Sequence, residues 1–434
     1  GFGYTNESNT TLINPSSSFY IASVSKQFTA MSIMILKKDG RLSYDDKLDK
    51  FFPEFPDYAK QISIRNLLTH TSGITDYLRL GIYEPGLTNN DVFNAIKEQE
   101  TLDFLPGERF AYSNSGYVLL AMIVEKVSQM TIVKFMKENI FTPLGMSNTL
   151  VYTDSTQSIH ERVTGYNSIG DLNDYSILTV GDGGIYSNAQ DLMKWDRALY
   201  TEKLVPTKIL NEAFSELVPA PMIQQAFNEP NPVFYGFGWM VTKNTTSHTV
   251  FHSGSLSGFR ALIYRELNTK FSCILLTNHG ADRSDLSNIS KEIHRITKGE
   301  DWNYPKAHIL PTMVRILKEF EIDSAVNFYN EMKDEQPEKF DFKEEDLNSL
   351  GYYLMSQDKP KDANAIFYLN TKQFPESSNN YDSYAESFFI LEEYEESKIF
   401  YQKSFDLDST NTNAAEMIKK INETISNRVD GREP

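Results

Sequence analysis

One cysteine, Cys273, occurs in 434 residues, so no disulfide can form within the chain and the redox compartment is left open. It sits in the apolar run Phe271–Leu276 and reads as a buried, inert thiol. Long hydrophobic runs are also missing. The longest, Tyr117–Val124, is far below the roughly 18 residues that a membrane span requires. Positive charge is scarce, with 42 Lys+Arg against 59 Asp+Glu and a net charge of −17, a field that repels phosphate backbones and anionic membrane surfaces. Nucleic acid is therefore not an expected partner. There is no Gly-x-Ser-x-Gly elbow, no His-Glu-x-x-His helix, no cysteine pair and no phosphate-cradling loop; the lone Gly236-Phe237-Gly238 reads as a strand or turn feature. His248 and His252 share a strand-like face without helical ligand geometry, so neither a metal nor a cofactor is expected.

What is present is ordinary globular composition, 40% apolar and 23% charged, in a chain long enough for two or three domains. Glycine and tryptophan divide it. Twenty of the 22 glycines and all three tryptophans (Trp195, Trp239, Trp302) precede residue 305. The expected organisation is a first domain over 1–300, a linker over 301–312 and a helical region over 313–434. From Pro305 onward, 15 basic and 26 acidic residues make this the acidic part of the chain. It repeats at a 34-residue spacing: Leu350/Tyr384, Gly351/Ala385, Leu354/Phe388, Ala363/Ser397 and Phe367/Tyr401. Small residues that let helices approach, alternating with aromatics that fill the gaps, resemble the tetratricopeptide pattern. Met313–Met332 is similar but out of phase, and Ala414–Ile425 reads as a capping helix. The acidity is either a solvated face or a groove for a basic or peptide partner.

The first 300 residues mix two periods. Ser23–Lys38 carries apolar residues at 28, 31, 34 and 35, with Gly40 at the C-cap, and Asp91–Glu98, Ser115–Val127, Ile132–Glu138, Asp191–Tyr200 and Asp285–Thr297 also read as helices. Gly236–Thr242, Thr249–His252, Phe259–Arg265 and Phe271–Leu276 read as strands. Strands late and helices in the middle imply an α+β domain with an antiparallel sheet and a large helical insertion. Gly1–Tyr4 reads as the tail of a strand, so residues upstream, including any export signal, are expected to lie outside this chain.

The chemistry gathers around Ser23-Val24-Ser25-Lys26. Three residues are about one helical turn, which puts a lysine ammonium beside a serine hydroxyl. A serine needs an adjacent base to become a nucleophile, and a helix N-terminus favours a developing oxyanion. Spacing alone does not decide, because Ser356-Gln357-Asp358-Lys359 repeats it, and Ser23 could simply cap its helix. Context decides. Downstream follow His70-Thr71-Ser72-Gly73-Ile74, Pro106-Gly107-Glu108-Arg109-Phe110-Ala111-Tyr112-Ser113-Asn114, Gly183-Gly184-Ile185-Tyr186-Ser187 and Phe251-His252-Ser253-Gly254. Together these resemble the signature boxes of the serine hydrolases related to class C β-lactamases, D-Ala-D-Ala peptidases and family VIII esterases.

The resemblance covers about residues 1–300 and implies a β-lactamase/transpeptidase-like fold: an antiparallel sheet flanked by helices plus a helical lobe, followed here by the all-α tetratricopeptide-like region. It implies that Ser23 is the acylated nucleophile, Lys26 its hydrogen-bonded partner and Tyr112, as phenolate or through a proton shared with Lys26, the general base and later the acid; spacing leaves the division of the base role between Lys26 and Tyr112 open. Asn114 would hold the substrate's carbonyl or amide side, and the N–H groups of Ser23 and Ser255 would form the oxyanion hole, with Gly254 small enough for a strand edge to approach. Tyr186-Ser187-Asn188 repeats the letters around Tyr112, but Ser187 with Gln190 reads as a capping box for the following helix. His70 and His279 read as structural. His252 stands where β-lactamases carry lysine, and a mostly neutral imidazole is ill suited to a substrate carboxylate. Arg260, more readily structural, is the one alternative contact for a carboxylate. The implied activity is hydrolysis of ester or amide bonds, esterase or D-amino-acid/D-Ala peptidase-like rather than β-lactam breakdown, in a bacterial periplasmic or extracellular setting. The competing reading is a protein-binding repeat protein with a vestigial hydrolase domain. Relatives usually have more chain before the nucleophile than the 22 residues here, so part of the sheet is expected to be missing.

Overall fold

A computed structural model describes residues 1–6, 11–280 and 283–429; positions 430–434 of the expected helical region lie outside the described residues. The chain forms two compact units, Gly1–Asn303 and Tyr304–Pro434.

In the first unit, β1 (Phe19–Tyr20), β2 (Leu150–Val151) and β3 (Ile185–Ser187) make a small antiparallel sheet in the order β1-β3-β2. The larger sheet is a six-stranded antiparallel meander: β4 (Val218–Pro219), β5 (Val233–Tyr235), β6 (Met240–Lys243), β7 (His248–Leu256), β8 (Phe259–Glu266) and β9 (Phe271–Thr277). The single strand expected over Gly236–Thr242 is instead a turn leading into β6. Gly238 there has φ +75°, and a Cβ on it would come within 2.8 Å of the Lys26 carbonyl oxygen. Only glycine fits that approach. The strand expected over Thr249–His252 runs on to Leu256, which carries residues 253–255 past the start of the helix at Lys26.

That helix, α1 (Lys26–Lys38), follows a 3-10 turn over Ala22–Ser25. Its sequence suggests a single apolar stripe, yet every residue from Lys26 to Leu36 is buried. The polar ones are paired: Thr29 donates to Gly181 O at 2.8 Å, Ser32 to Phe28 O at 2.8 Å, and Gln27 accepts from Trp195 Nε1 at 2.9 Å. These bonds let a central helix carry polar groups on its buried faces, although Gln27 Nε2 has no partner among the described residues. Helix α2 (Asn114–Ser128) lies against α1, and Ile33, Met34, Leu36, Leu119, Leu120 and Ile123 join one core with Phe28, which meets the Trp195 ring at 4.4 Å. Each large apolar side chain so buried contributes about 1.5–3 kcal/mol. Helix α3 (Arg283–Lys298) follows β9 in the chain.

The second unit is helical: α4 (Leu310–Glu319), α5 (Ile322–Glu335), α6 (Glu344–Ser356), α7 (Pro360–Gln373), α8 (Ser378–Ile390), α9 (Tyr394–Leu407) and α10 (Thr412–Val429). The α6–α7 pair recurs as α8–α9, starts and ends alike displaced by 34 residues. The small-residue rule holds at Gly351, where a Cβ would come within 2.3 Å of the Phe367 ring. Met313–Met332, read as one out-of-phase stretch, spans parts of two helices, α4 and α5. Among the described residues, no helix is long and apolar enough to cross a membrane.

Candidate active site

The turn Ala22–Ser25 presents Ser23 to a cavity of about 440 Å³. Ser23 does not cap its helix: neither the turn nor α1 has a side-chain cap bond. Its hydroxyl instead accepts from Lys26 Nζ at 3.1 Å. Fully buried, Lys26 donates to two further oxygens, Asn114 Oδ1 at 2.8 Å and Asp182 O at 2.8 Å. Three donors of an ammonium thus meet three acceptors, which fixes the group in the low-dielectric interior. Its nitrogen also lies 4.9 Å from the centre of the Tyr112 ring.

Tyr112 and Asn114 are held by the stretch that begins at His70. Ala111 N–H donates to His70 O at 2.9 Å and Ser113 N–H to His70 Nδ1 at 3.0 Å. Ser113 then caps α2, whose first residue is Asn114. The His70 ring lies 4.2 Å from that of Tyr112. With Nδ1 accepting, its ring proton belongs on Nε2, which is buried and has no partner among the described residues. Burial, with the charge of Lys26 nearby, holds His70 well below the usual imidazole range, so it is neutral.

The opposite wall is β7. Its Gly254 pairs with Ala261 and passes so close to the nucleophile turn that a Cβ would lie 2.2 Å from Ile21 O. This approach brings Ser255 to the cavity beside Ser23, with Ala22 at the unusual φ of +46°. His252 on the same strand also lines the cavity. Ser253 O can only accept, so His252 Nδ1, 2.7 Å away, carries a proton, and Tyr235 OH meets Nε2 at 2.9 Å. The pairing suits a neutral imidazole.

Ser23, Tyr112, Asn114, His252 and Ser255 therefore line one cavity, although they come from three distant stretches of chain; Lys26 lies behind it, bonded to Ser23 and Asn114, and Gly254 packs against the nucleophile turn. The other singled-out residues lie elsewhere. Tyr186 is buried among Tyr20, Tyr152 and Phe259 and accepts from Arg162 at 3.1 Å. The helix after it, Ala189–Ala198, is capped by Asn188 accepting from Asp191 N–H at 2.9 Å, not by Ser187, whose hydroxyl pairs with Thr149 at 2.8 Å. The cap expected on Ser187 and Gln190 is thus one residue out, with Asn188 at the N-cap position and Ser187 engaged by Thr149. Arg260 donates to the carbonyls of Ser257, Phe259 and Gly280. His279 bridges through its backbone to Tyr166, and His248 meets Phe214 O at 3.0 Å. Buried Cys273 has its thiol pushed up to about 11 by desolvation.

Two carboxylates escape the sequence reading. Asp76 accepts from Asn114 N–H at 2.7 Å and from Asn114 Nδ2 at 3.0 Å, which turns the amide oxygen toward Lys26. Asp182, besides its carbonyl contact with Lys26, lines the cavity and accepts at Oδ2 from Tyr77 OH at 2.8 Å. Burial raises the Asp182 carboxyl above the usual range, while the charge of Lys26 works in the opposite direction. Each adjoins a box that the sequence displays, Asp76 two residues after Ile74 and Asp182 just before Gly183.

The comparisons agree with this architecture. The chain is 32% identical to penicillin-binding protein 4* of Bacillus subtilis (strain 168) over 332 residues, 70% of each chain. The octameric penicillin-binding protein homologue from Pyrococcus abyssi superposes with a TM-score of 0.62 at 27% identity, covering 73% of both chains. D-amino acid amidase from Ochrobactrum anthropi SV3 superposes with a TM-score of 0.59 at 25% identity, over 68% of this chain and 88% of that one. The beta-lactamase family model matches residues 1–293. With that match spanning an antiparallel sheet, a helical lobe and a serine–lysine pair at the mouth of one cavity, the chain belongs to the beta-lactamase family of serine hydrolases.

Proposed function

We propose that this chain hydrolyses amide or ester bonds through an acyl-enzyme on Ser23. The observation that carries the reading is the Lys26 ammonium, 3.1 Å from Ser23 Oγ and anchored by Asn114 and Asp182. With all three donors engaged, Lys26 acts as the fixed cation, and Tyr112 above it is the base that takes the Ser23 proton as Oγ attacks the carbonyl carbon. The negative charge that develops on the carbonyl oxygen is received by the N–H groups of Ser23 and Ser255. Tyr112 then returns its proton to the leaving nitrogen or oxygen; a water, deprotonated by the same phenolate, attacks the acyl-serine, and as the Oγ–acyl bond breaks Tyr112 hands that proton to Ser23 Oγ, releasing the acid and regenerating the enzyme.

The leaving group is neutral. The cavity's titratable lining is Tyr20, Tyr77, Tyr112, Asp182 and His252, with Lys26 engaged behind Ser23 and Arg260 spent on backbone carbonyls. Among the described residues, the cavity lining offers no cation to a substrate carboxylate, which favours amides and esters over carboxylate-bearing β-lactams and peptides. The similar D-amino acid amidase supports amides of D-amino acids. A panel of p-nitrophenyl esters, nitrocefin, D-Ala-D-Ala peptides and D-amino-acid amides, run on the wild type and Ser23→Ala, tests this. Amide or ester turnover that vanishes with the hydroxyl supports it; nitrocefin or D-Ala-D-Ala turnover that exceeds both refutes the substrate preference.

For the helical unit we propose a basic peptide partner, supported by its acidic excess and by Glu344, Glu345 and Asp346 in the first turn of α6. Titration of the full chain with a lysine-rich peptide at low and moderate salt tests it; no saturable, salt-sensitive binding removes it.

A further inference from the structure

The cavity is walled by two unlike groups of side chains. Tyr20 and Tyr77 belong to one packed cluster, with Tyr175 and Phe259, and bring hydroxyls to the cavity. Ile223, Phe227 and Met240 belong to another, and both Phe110 and Tyr112 pack against it. This second wall is built on the sheet: Met240 of β6 pairs with Phe251 of β7, whose ring lies 5.6 Å from that of Phe227. It is therefore fixed to the strand that carries His252 and Ser255. Ile223, Phe227 and Met240 are buried, whereas Met222, on the short helix Pro221–Ala226, lines the same cavity and is 74% exposed. A methionine at the rim of a buried apolar wall offers an adaptable apolar contact.

Tyr112 decides which half of a substrate meets this wall. In the acyl-hydrolase reading it hands a proton to the leaving oxygen or nitrogen, so that atom comes within about 2.6–3.2 Å of the phenolic oxygen. The substituent on the leaving atom is one bond further on, and the side chains packed with Tyr112 are those of the apolar wall. The acyl substituent instead branches from the carbonyl carbon, one atom further from Tyr112.

We infer that Phe110, Met222, Ile223, Phe227 and Met240 form a leaving-group subsite, so that the preferred substrates are esters and amides whose alcohol or amine half is apolar. This rests on the acyl-hydrolase reading and names the half of the substrate that the site selects. The same subsite admits an apolar alcohol to the acyl-enzyme. Tyr112 takes the hydroxyl proton as the alcohol oxygen bonds to the acyl carbon; the Oγ–acyl bond then breaks and Tyr112 gives the proton to Ser23 Oγ, the reverse of acylation.

The test compares two isomers on the full chain, hexyl acetate and methyl heptanoate, which carry the same six-carbon chain on opposite halves of the ester. Each methylene buried against the wall is worth roughly fourfold. Hexyl acetate is therefore expected to exceed methyl heptanoate by at least about tenfold in kcat/KM. Equal values, or methyl heptanoate ahead, overturn the inference. Met222→Ser, a change at an exposed position, and Phe227→Ala are each expected to lower that ratio by roughly threefold or more; a ratio unchanged in both overturns the assignment to this wall. Because Phe227 is buried, labelling of Ser23 by a fluorophosphonate reports whether that variant is folded. If neither isomer is hydrolysed in a Ser23-dependent way, the acyl-hydrolase reading has failed and this inference with it, a result distinct from hydrolysis without preference. Trapping gives a second readout. With p-nitrophenyl acetate as the acyl donor, 1-hexanol should divert the acetyl group to its ester at least about tenfold more efficiently than methanol at equal concentration; equal diversion contradicts the inference.

Discussion

Gly254 and Ile21 approach so closely that a single methyl group added to the glycine would lie 2.2 Å from the Ile21 carbonyl oxygen. The obstructing oxygen belongs to backbone and the methyl is fixed directly to backbone, so neither can swing away as the end of a flexible side chain would. Gly254→Ala therefore pushes β7 off the nucleophile turn and moves Ser255 N–H away from the developing oxyanion. Loss of one such donor costs roughly 10²–10³ in kcat. Steady-state kinetics should show that fall, with the thermal midpoint recording any separate loss of stability.

Asp76 is the acceptor that orients Asn114. Asp76→Ala leaves the Asn114 N–H and Nδ2 without their partner and releases the amide oxygen from Lys26. The expected result is a fall in kcat of roughly tenfold or more, since small losses of alignment are expensive in rate. Asp76→Asn, which retains one acceptor, should recover part of it. A variant Asp76→Ala with wild-type kcat would remove Asn114 from the positioning of Lys26.

His70 makes stability depend on pH. Its imidazole is neutral in the folded protein, held below the usual range by burial, whereas in the unfolded chain it titrates near 6.5. Below that pH the unfolded state binds the extra proton, so stability is complete above about pH 6.5 and falls as pH drops toward the folded value. The slope from this group approaches about 1.4 kcal/mol per pH unit. Urea midpoints between pH 7.5 and 5 should show the decline, and His70→Asn, which keeps an acceptor for Ser113 N–H, should flatten it.

Much of this site is legible in the sequence because its chemistry is carried by short boxes with local geometry. Ser23 and Lys26 are one turn apart, and Tyr112 and Asn114 straddle a helix cap. The strand meander from Phe259 onward follows from β-branched and aromatic runs. What the sequence hides is tertiary. Helix α1 shows one apolar stripe and is nonetheless buried all round, with Gly181 and Trp195, more than 150 residues away, supplying partners to the Thr29 hydroxyl and the Gln27 Oε1. The Gly236–Gly238 turn looks like strand because its aromatics are core residues. Asp76 and Asp182 carry no motif of their own, and only contact with Asn114 and Lys26 gives them meaning.

The helical unit has a packing test of its own. Gly351→Ala brings a methyl group within 2.3 Å of the Phe367 ring, between α6 and α7. Overpacking at such a site costs about 1–3 kcal/mol. Calorimetry of the full chain should show a lowered transition, while hydrolysis, which depends on residues of the first unit, should persist. An unshifted transition would mean that Phe367 can move aside.

The most direct test of the account is to trap the acyl-enzyme. A fluorophosphonate or a slowly deacylating ester is added to the wild type, Ser23→Ala, Lys26→Ala and Tyr112→Phe, followed by peptide mapping by mass spectrometry. The account predicts a single adduct on Ser23 in the wild type, none in Ser23→Ala, and labelling slowed by two or more orders of magnitude in the other two, within the range that general-base catalysis contributes. An adduct on another residue, or equal labelling of Ser23→Ala, would contradict it.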